Sequence, residues 1–403
     1  MSNAAVLQTD GKHSHTLMVL LLLFAGTGCS ALIYEIVWYQ TLELAIGSSA
    51  VSLGVLLATF MGGLCLGSLL LPKILPLLPR HWQHPLRTYA AIEILIGILG
   101  IIELAAIPLI GGAYVAGAQS GLPSVLLRSL VTIVTLLPPT MLMGASLPAI
   151  VRLFDADKNG AARWGLFYGG NTAGAVFGCL FAAFVLLRNF DVTTATFVAA
   201  SINFAAAIIA LTLAPRVLFT TVMNARADAL THEGTGPAWT VYLVIGISGA
   251  CALGAEVVWT RLMGLMLGGT VYAFAIILAA FLVGLVIGTA AATQLVGRVN
   301  ARVALGICQF LAAFAIAWSA YMIAEALPYW PINPTLSRSA GVTFQLDFVR
   351  TFIAIFRRLC FGARVFLLPS LRLLLRISIP AALSGVSMPA IHLAPSRARS
   401  AHR

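Results

Sequence analysis

Long apolar runs separated by short polar breaks dominate this chain. The first, Leu17 to Ile33, contains no charged residue. A helix that crosses the hydrocarbon core of a bilayer needs about 20 predominantly apolar residues. On that measure the pattern predicts spans near 16–38, 47–71, 88–110, 122–150, 164–187, 192–214, 239–260, 268–296 and 303–327. A membrane β-barrel would instead alternate apolar and polar positions in blocks of about ten residues, and these runs do not. Pro138-Pro139 falls inside the fourth span and predicts a kink or break there. Residues 340–394 have room for one or two further spans, which makes about 9–11 in all. Arg357, Arg358, Arg364, Arg372 and Arg376 would be expensive at mid-bilayer, however. An interfacial amphipathic helix, or an end altered by drift or a frame change, fits that stretch as well.

The pattern repeats. Residues 28–67 and 249–288 align without a gap at an offset of 221. Identities include Gly28/Gly249, Leu32/Leu253, Glu35/Glu256, Trp38/Trp259, Gly47/Gly268, Phe60/Phe281, Gly63/Gly284 and Gly67/Gly288. A second element, Pro139-x4-Gly144-x-Ser146-x-Pro148-Ala149-Ile150, recurs as Pro380-x4-Gly385-x-Ser387-x-Pro389-Ala390-Ile391. Duplicated halves are a common build for membrane carriers. The expectation is an all-α, polytopic transmembrane bundle of two parallel repeats, major-facilitator-like, with the second incomplete. Residues 1–215 form the first repeat of about six spans, 216–238 a cytoplasmic linker, 239–394 the second repeat, and 395–403 a basic tail.

Composition narrows the class. The chain is 60% hydrophobic and only 9% charged, against roughly 25% charged in a soluble domain. The net charge of +11 does not point to nucleic acid. Ten of the 24 basic residues lie from Arg338 onward, without the aromatic interleaving that base stacking needs. With the N-terminus inside, the inner loops carry Lys73, Arg80, Arg87, Arg152, Lys158, Arg163, Arg216, Arg226, Arg298 and Arg302, and the outer loops carry Arg188 and Arg261, with Arg128 just beyond one of them. That asymmetry predicts a cytoplasmic N-terminus and places the two repeats in the same orientation. The N-terminal run reads as the first span rather than a cleaved signal, because its counterpart at 249 cannot be one. The six cysteines form no C-x-x-C pair and read as packing residues.

Few residues could carry chemistry. Glu35 with Trp38, and Glu256 with Trp259, put acid and indole three apart on one helix face. An acid inside the membrane is a functional candidate, as a cation site, a proton relay or an arginine partner. The alternative puts both acids at outer helix ends, with the tryptophans as interfacial anchors. Glu103 lies deep in its span and Glu93 nearer the cytoplasmic surface; Glu103 is a further candidate for substrate or protons. Asn171 and Thr172 flank the glycine series Gly170-x3-Gly174-x3-Gly178, whose expected role is close helix packing. These residues could bond across helices or touch a ligand. No phosphate-binding loop, dinucleotide fingerprint or H-e-x-x-H pattern occurs, and no histidine has metal spacing, so no catalytic residue, metal or cofactor is expected.

Several motifs together resemble a known family. They are Ala31-Leu32-Ile33-Tyr34-Glu35-Ile36-Val37-Trp38, Ala255-Glu256-Val257-Val258-Trp259-Thr260-Arg261-Leu262, Val271-Tyr272-Ala273-Phe274, the stretch Pro138 to Pro148, and Tyr168-x2-Asn171-Thr172-x-Gly174-Ala175-x2-Gly178. Over roughly 16–325 the chain is similar to the membrane part of the bacterial fused major-facilitator/spermidine-synthase-like membrane proteins. Members often carry a soluble synthase domain after the helices, and no segment here matches it. The resemblance implies a multi-pass protein of the bacterial inner membrane without aminopropyltransferase activity. The intramembrane acids and the duplicated build add the expectation of a carrier for a small cationic solute such as a polyamine, with Glu35, Trp38, Glu103, Asn171, Glu256 and Trp259 as speculative substrate-binding residues. The alternatives are a membrane anchor or scaffold for a separate spermidine-synthase-like domain, and a truncated remnant. The implied partners are the lipid bilayer and that domain, with no nucleic acid.

Overall fold

A computed structural model describes residues 11–47, 50–119, 123–153, 160–215, 238–268, 270–295, 301–330 and 342–354. Among the described residues the fold is all helix. The helices are α1 (Gly11–Ile46), α2 (Ala50–Ile74), α3 (Pro85–Gln119), α4 (Ser124–Val151), α5 (Gly160–Phe181), the short α6 (Leu187–Asn189), α7 (Val192–Leu213), α8 (Ala238–Leu267), α9 (Val271–Leu295) and α10 (Ala301–Tyr321). A further helix, α11, covers 342–354. π-helical turns at Ala182–Leu186 and Met322–Ala326 continue α5 and α10. Nine of the helical stretches are long and apolar enough to cross a membrane, from Thr16–Ala45 to Gly246–Leu267, Val271–Gly288 and Gly306–Ala326. The chain is a multi-pass membrane protein.

Two spans run further than hydropathy suggests. α1 continues through Tyr39-Gln40-Thr41-Leu42-Glu43 to Ile46, and α8 continues past Arg261 to Leu267. Arg261 therefore sits on a helix, not in an outer loop. Both helices stop at a glycine with positive φ, Gly47 at +86° and Gly268 at +97°. These are the positive-φ residues of the described chain, and they stand at the offset of the sequence repeat. A left-handed residue just past a helix end costs little without a Cβ. The Gly47 amide closes the turn on the Glu43 carbonyl at 2.9 Å.

α4 does not break at its prolines. It stays helical through Pro138, Pro139 and Pro148. It is packed between α2 and α3, and the Thr140 hydroxyl donates to the Leu136 and Leu137 carbonyls at 2.6 and 3.1 Å. Neighbouring helices and hydroxyl side chains commonly hold a membrane helix together at proline. Glycines let its backbone meet α2. A Cβ at Gly144 would strike the Leu64 backbone, and one at Gly67 the Met141 carbonyl. α1 and α5 meet in the same way through Gly28, Gly174 and Gly178, against Asn171, Ala25 and Cys29. The expected packing role of the glycine series is thus observed.

The main core is centred on α1, with α2, α3, α4, α5 and α7 around it and Phe274, Ala275, Leu278 and Ala279 of α9 inserted. A smaller cluster joins Trp259 and Met263 to Ile277, Met322, Ile323, Leu327 and Ala354. α11 packs on the end of α10: Ser319 donates to the Ala354 carbonyl at 2.8 Å, and Arg350 to that of Leu327 at 3.2 Å. Arg350 also faces Asp347 at 3.6 Å. Burial raises the Asp347 carboxyl and the guanidinium pulls it back. Residues 216–237, most of the expected linker, and 355–403, with the second proline element and the basic tail, lie outside the described residues.

Asp191 caps α7 by accepting from the Thr194 amide at 2.8 Å. Bonds from the Thr194 side chain and backbone hold its carboxyl below the usual range. A depressed pKa contributes stability above the unfolded value, which is lost as pH falls through the folded one. Asp191→Ala should lower the thermal midpoint at pH 7, and the gap from wild type should close as the pH drops well below about 3.9. An equal gap at both pH values in detergent melts would count against the cap.

Candidate functional site

The repeated acids meet inside the bundle. Glu35 on α1 is 1% exposed and Glu256 on α8 is 4% exposed. Their carboxylates lie within electrostatic reach of each other. Cys179 of α5 is close to Glu35 as well, and its thiol donates to the Ala275 carbonyl of α9 at 3.4 Å. The pair thus lies where α1, α5, α8 and α9 converge, at the seam between the two sequence repeats. Small residues make that convergence possible, since the fully buried stretch of α9, residues 273–280, includes Ala273, Ala275, Ala279 and Ala280. One oxygen of Glu35 has no hydrogen-bond partner. Taking a carboxyl group out of water without a full set of partners is costly.

The tryptophans are not interfacial anchors. Trp38 is 1% exposed and Trp259 is 4% exposed. Trp38 stacks on Tyr34 with ring centroids 5.1 Å apart, and Trp259 sits in the smaller core cluster. Both anchor their helices in protein instead of at the lipid surface, because α1 and α8 extend past them by two or more turns.

A cleft of about 110 Å3 opens one turn beyond the acids. Its walls are the C-terminal ends of α1 and α8 and the N-terminal turns of α2 and α9, so both repeats contribute equivalent elements. Tyr39 and Thr260, which line it, are one helical turn from Glu35 and Glu256. The Tyr39 ring stacks on Phe274 at 4.1 Å and 17°, bridging α1 and α9. Glu43 bonds to the Tyr39 hydroxyl, and Arg261 also acts on that group electrostatically. Glu35 and Glu256 do not line the cleft themselves.

The other predicted residues fall elsewhere. Asn171 donates to the Phe24 carbonyl at 2.9 Å, tying α5 to α1, while Thr172 bonds within its own helix to Tyr168. Glu103 is buried on α3, with one oxygen lacking a hydrogen-bond partner, and does not line the cleft. Glu93 is fully buried between helices and accepts from Asn203 of α7 at 2.6 Å. Sequence reasoning overlooked Tyr39, Glu43 and the helical placement of Arg261. One signal was present: Glu35, Tyr39 and Glu43 recur at four-residue intervals and so share a helix face.

No family model matches the chain, and no curated protein matches it. Among solved structures it is similar to a bacterial homolog of the human lysosomal transporter Spinster, inward-facing and unoccupied. That match has 14% identity and a TM-score of 0.48 and covers 93% of this chain and 81% of that one. It is also similar to FucP, a major facilitator superfamily transporter in the outward conformation. Here the identity is 15% and the TM-score 0.44, with 90% of this chain and 89% of that one covered.

Proposed function

We propose that this chain is a carrier module that moves a small cationic solute between its two repeats. The observation that carries the reading is the buried Glu35–Glu256 pair at the repeat seam, one turn below a cleft built by both repeats. Two acids in apolar surroundings repel each other when both are ionised, and an amine placed between them relieves that repulsion. Polyamines are the cations that the sequence resemblance implies. The Tyr39–Phe274 stack lines the cleft, joins α1 to α9, and in this reading serves as the barrier that must part. Rocking of one repeat against the other then exposes the pair to alternate sides. With the N-terminus cytoplasmic, as the basic residues imply, the cleft opens outward. Glu35 and Glu256 carry the role in this reading, while Trp38, Trp259 and Asn171 hold the helices that present them.

The test is uptake of labelled putrescine and spermidine into proteoliposomes. The Glu35→Gln/Glu256→Gln double variant should lose at least tenfold in uptake rate while eluting as wild type on size exclusion. Equal uptake by both proteins, or none by wild type, removes the mechanism.

A further inference from the structure

The cleft carries two opposite charges, one from each repeat. Glu43 comes from the last turn of α1, and Arg261 from α8. Glu43 is engaged by the Tyr39 hydroxyl. Arg261 acts electrostatically on that same Tyr39 hydroxyl from the other repeat. Arg261 is exposed and lines the cleft. The remaining wall offers the Ser52, Thr260 and Thr270 side chains and an apolar side that includes Leu42 and Leu56.

A plain amine fits half of this arrangement. It satisfies Glu43 and is repelled by Arg261. A ligand bearing both an ammonium and a carboxylate satisfies both, and a guanidinium is well suited to a carboxylate because its forked donors match the two oxygens. Such a ligand also does something that an amine cannot. It bridges the repeats directly, so it binds more tightly when the cleft narrows, and differential affinity of that kind is what shifts a conformational equilibrium.

We propose that the cleft is a recognition site for a small aminocarboxylate, with Glu43 holding the ammonium and Arg261 the carboxylate. The proposal rests on the carrier reading, since the cleft is taken as the approach to Glu35 and Glu256. Within that reading it gives aminocarboxylates a preference over plain amines at the cleft, without excluding the amines from transport.

Equilibrium binding to the full chain in lipid nanodiscs tests it, with labelled glycine, ornithine and putrescine as probes. Ornithine and putrescine differ by a single carboxylate. At least one of the two aminocarboxylates should bind tenfold or more tightly than putrescine. Arg261→Gln should erase that preference, Arg261→Lys should retain part of it, and Glu43→Gln should weaken every probe. Putrescine binding as tightly as the others, or a preference that survives Arg261→Gln, overturns the assignment and leaves the cation carrier standing. Binding of none of the probes overturns it too. The carrier reading is then decided by the uptake comparison alone, because the acids varied there lie outside the cleft.

Discussion

Replacing Gly174 with leucine is expected to remove folded protein from the membrane fraction, whereas the same change at Gly169 leaves it there. The two glycines are five residues apart on α5, yet their surroundings differ. A Cβ at Gly169 meets nothing within 4 Å. One at Gly174 runs into the carbonyl oxygen, carbonyl carbon and Cα of Ala25. Backbone atoms cannot turn aside as a side chain does. Overpacking typically costs about 1–3 kcal/mol where side chains can yield, so this site should sit at or above that range. Parting α1 from α5 also strains the Asn171 bond to Phe24 and the contacts at Gly28 and Gly178. Interhelical hydrogen bonds in membranes contribute about 0.6–1.7 kcal/mol each. Against a total stability of about 5–15 kcal/mol, the combined loss is large. Fluorescence-detected size exclusion of solubilised protein reads the outcome. A monodisperse Gly174→Leu peak of wild-type height would mean that α1 and α5 do not touch through their backbones.

That interface was legible in the sequence, because small residues four apart mark close helix approach wherever the chain is apolar. The nine spans were legible for a related reason: hydrocarbon thickness fixes how long an apolar run must be. The repeat was legible down to a backbone detail, since Gly47 and Gly268 align in sequence and both adopt positive φ. What hydropathy concealed was the length of α1 and α8. Tyr39, Gln40, Thr41 and Glu43 resemble the start of a loop when each is scored by polarity alone. In the fold Tyr39 and Glu43 face a cleft, so polar residues at the end of a span are tolerated where protein and water replace lipid. The same length decides against the alternative that made the tryptophans interfacial anchors. An indole near the end of an apolar run reads as an interfacial anchor only if the helix ends there. Pro138 and Pro139 misled differently, because a local rule about a missing amide was outweighed by packing from both sides.

The burial of Glu93 was also hidden, and it yields the other large effect. Asn203→Leu should destabilise the protein by about 2–4 kcal/mol, while Glu93→Leu/Asn203→Leu should come close to wild type. Asn203 Nδ2 donates to Glu93 Oε2 at 2.6 Å, and neither residue reaches solvent. The hydroxyls of Tyr34 and Tyr89 lie near the same carboxylate. The other Glu93 oxygen has no hydrogen-bond partner, so it already lacks a full complement. Removing the amide strips the acid of its short 2.6 Å bond and leaves it with the Tyr89 hydroxyl nearby. An unsatisfied buried polar group costs about 1–3 kcal/mol, and an uncompensated buried charge about 3–5 kcal/mol. Removing both partners together replaces a polar pair with hydrocarbon of similar volume, a change that is often neutral or stabilising. A double-mutant cycle in detergent unfolding separates these cases. Strictly additive losses would show that Glu93 and Asn203 are not a unit. Uptake adds a second distinction, because the pair joins α3 to α7 and lies outside the cleft. The double leucine variant should transport as wild type does, whereas the Glu35→Gln/Glu256→Gln variant should not. If uptake fails equally in both, the membrane acids act together, and Glu93 belongs to the transport path and not to the scaffold that holds it.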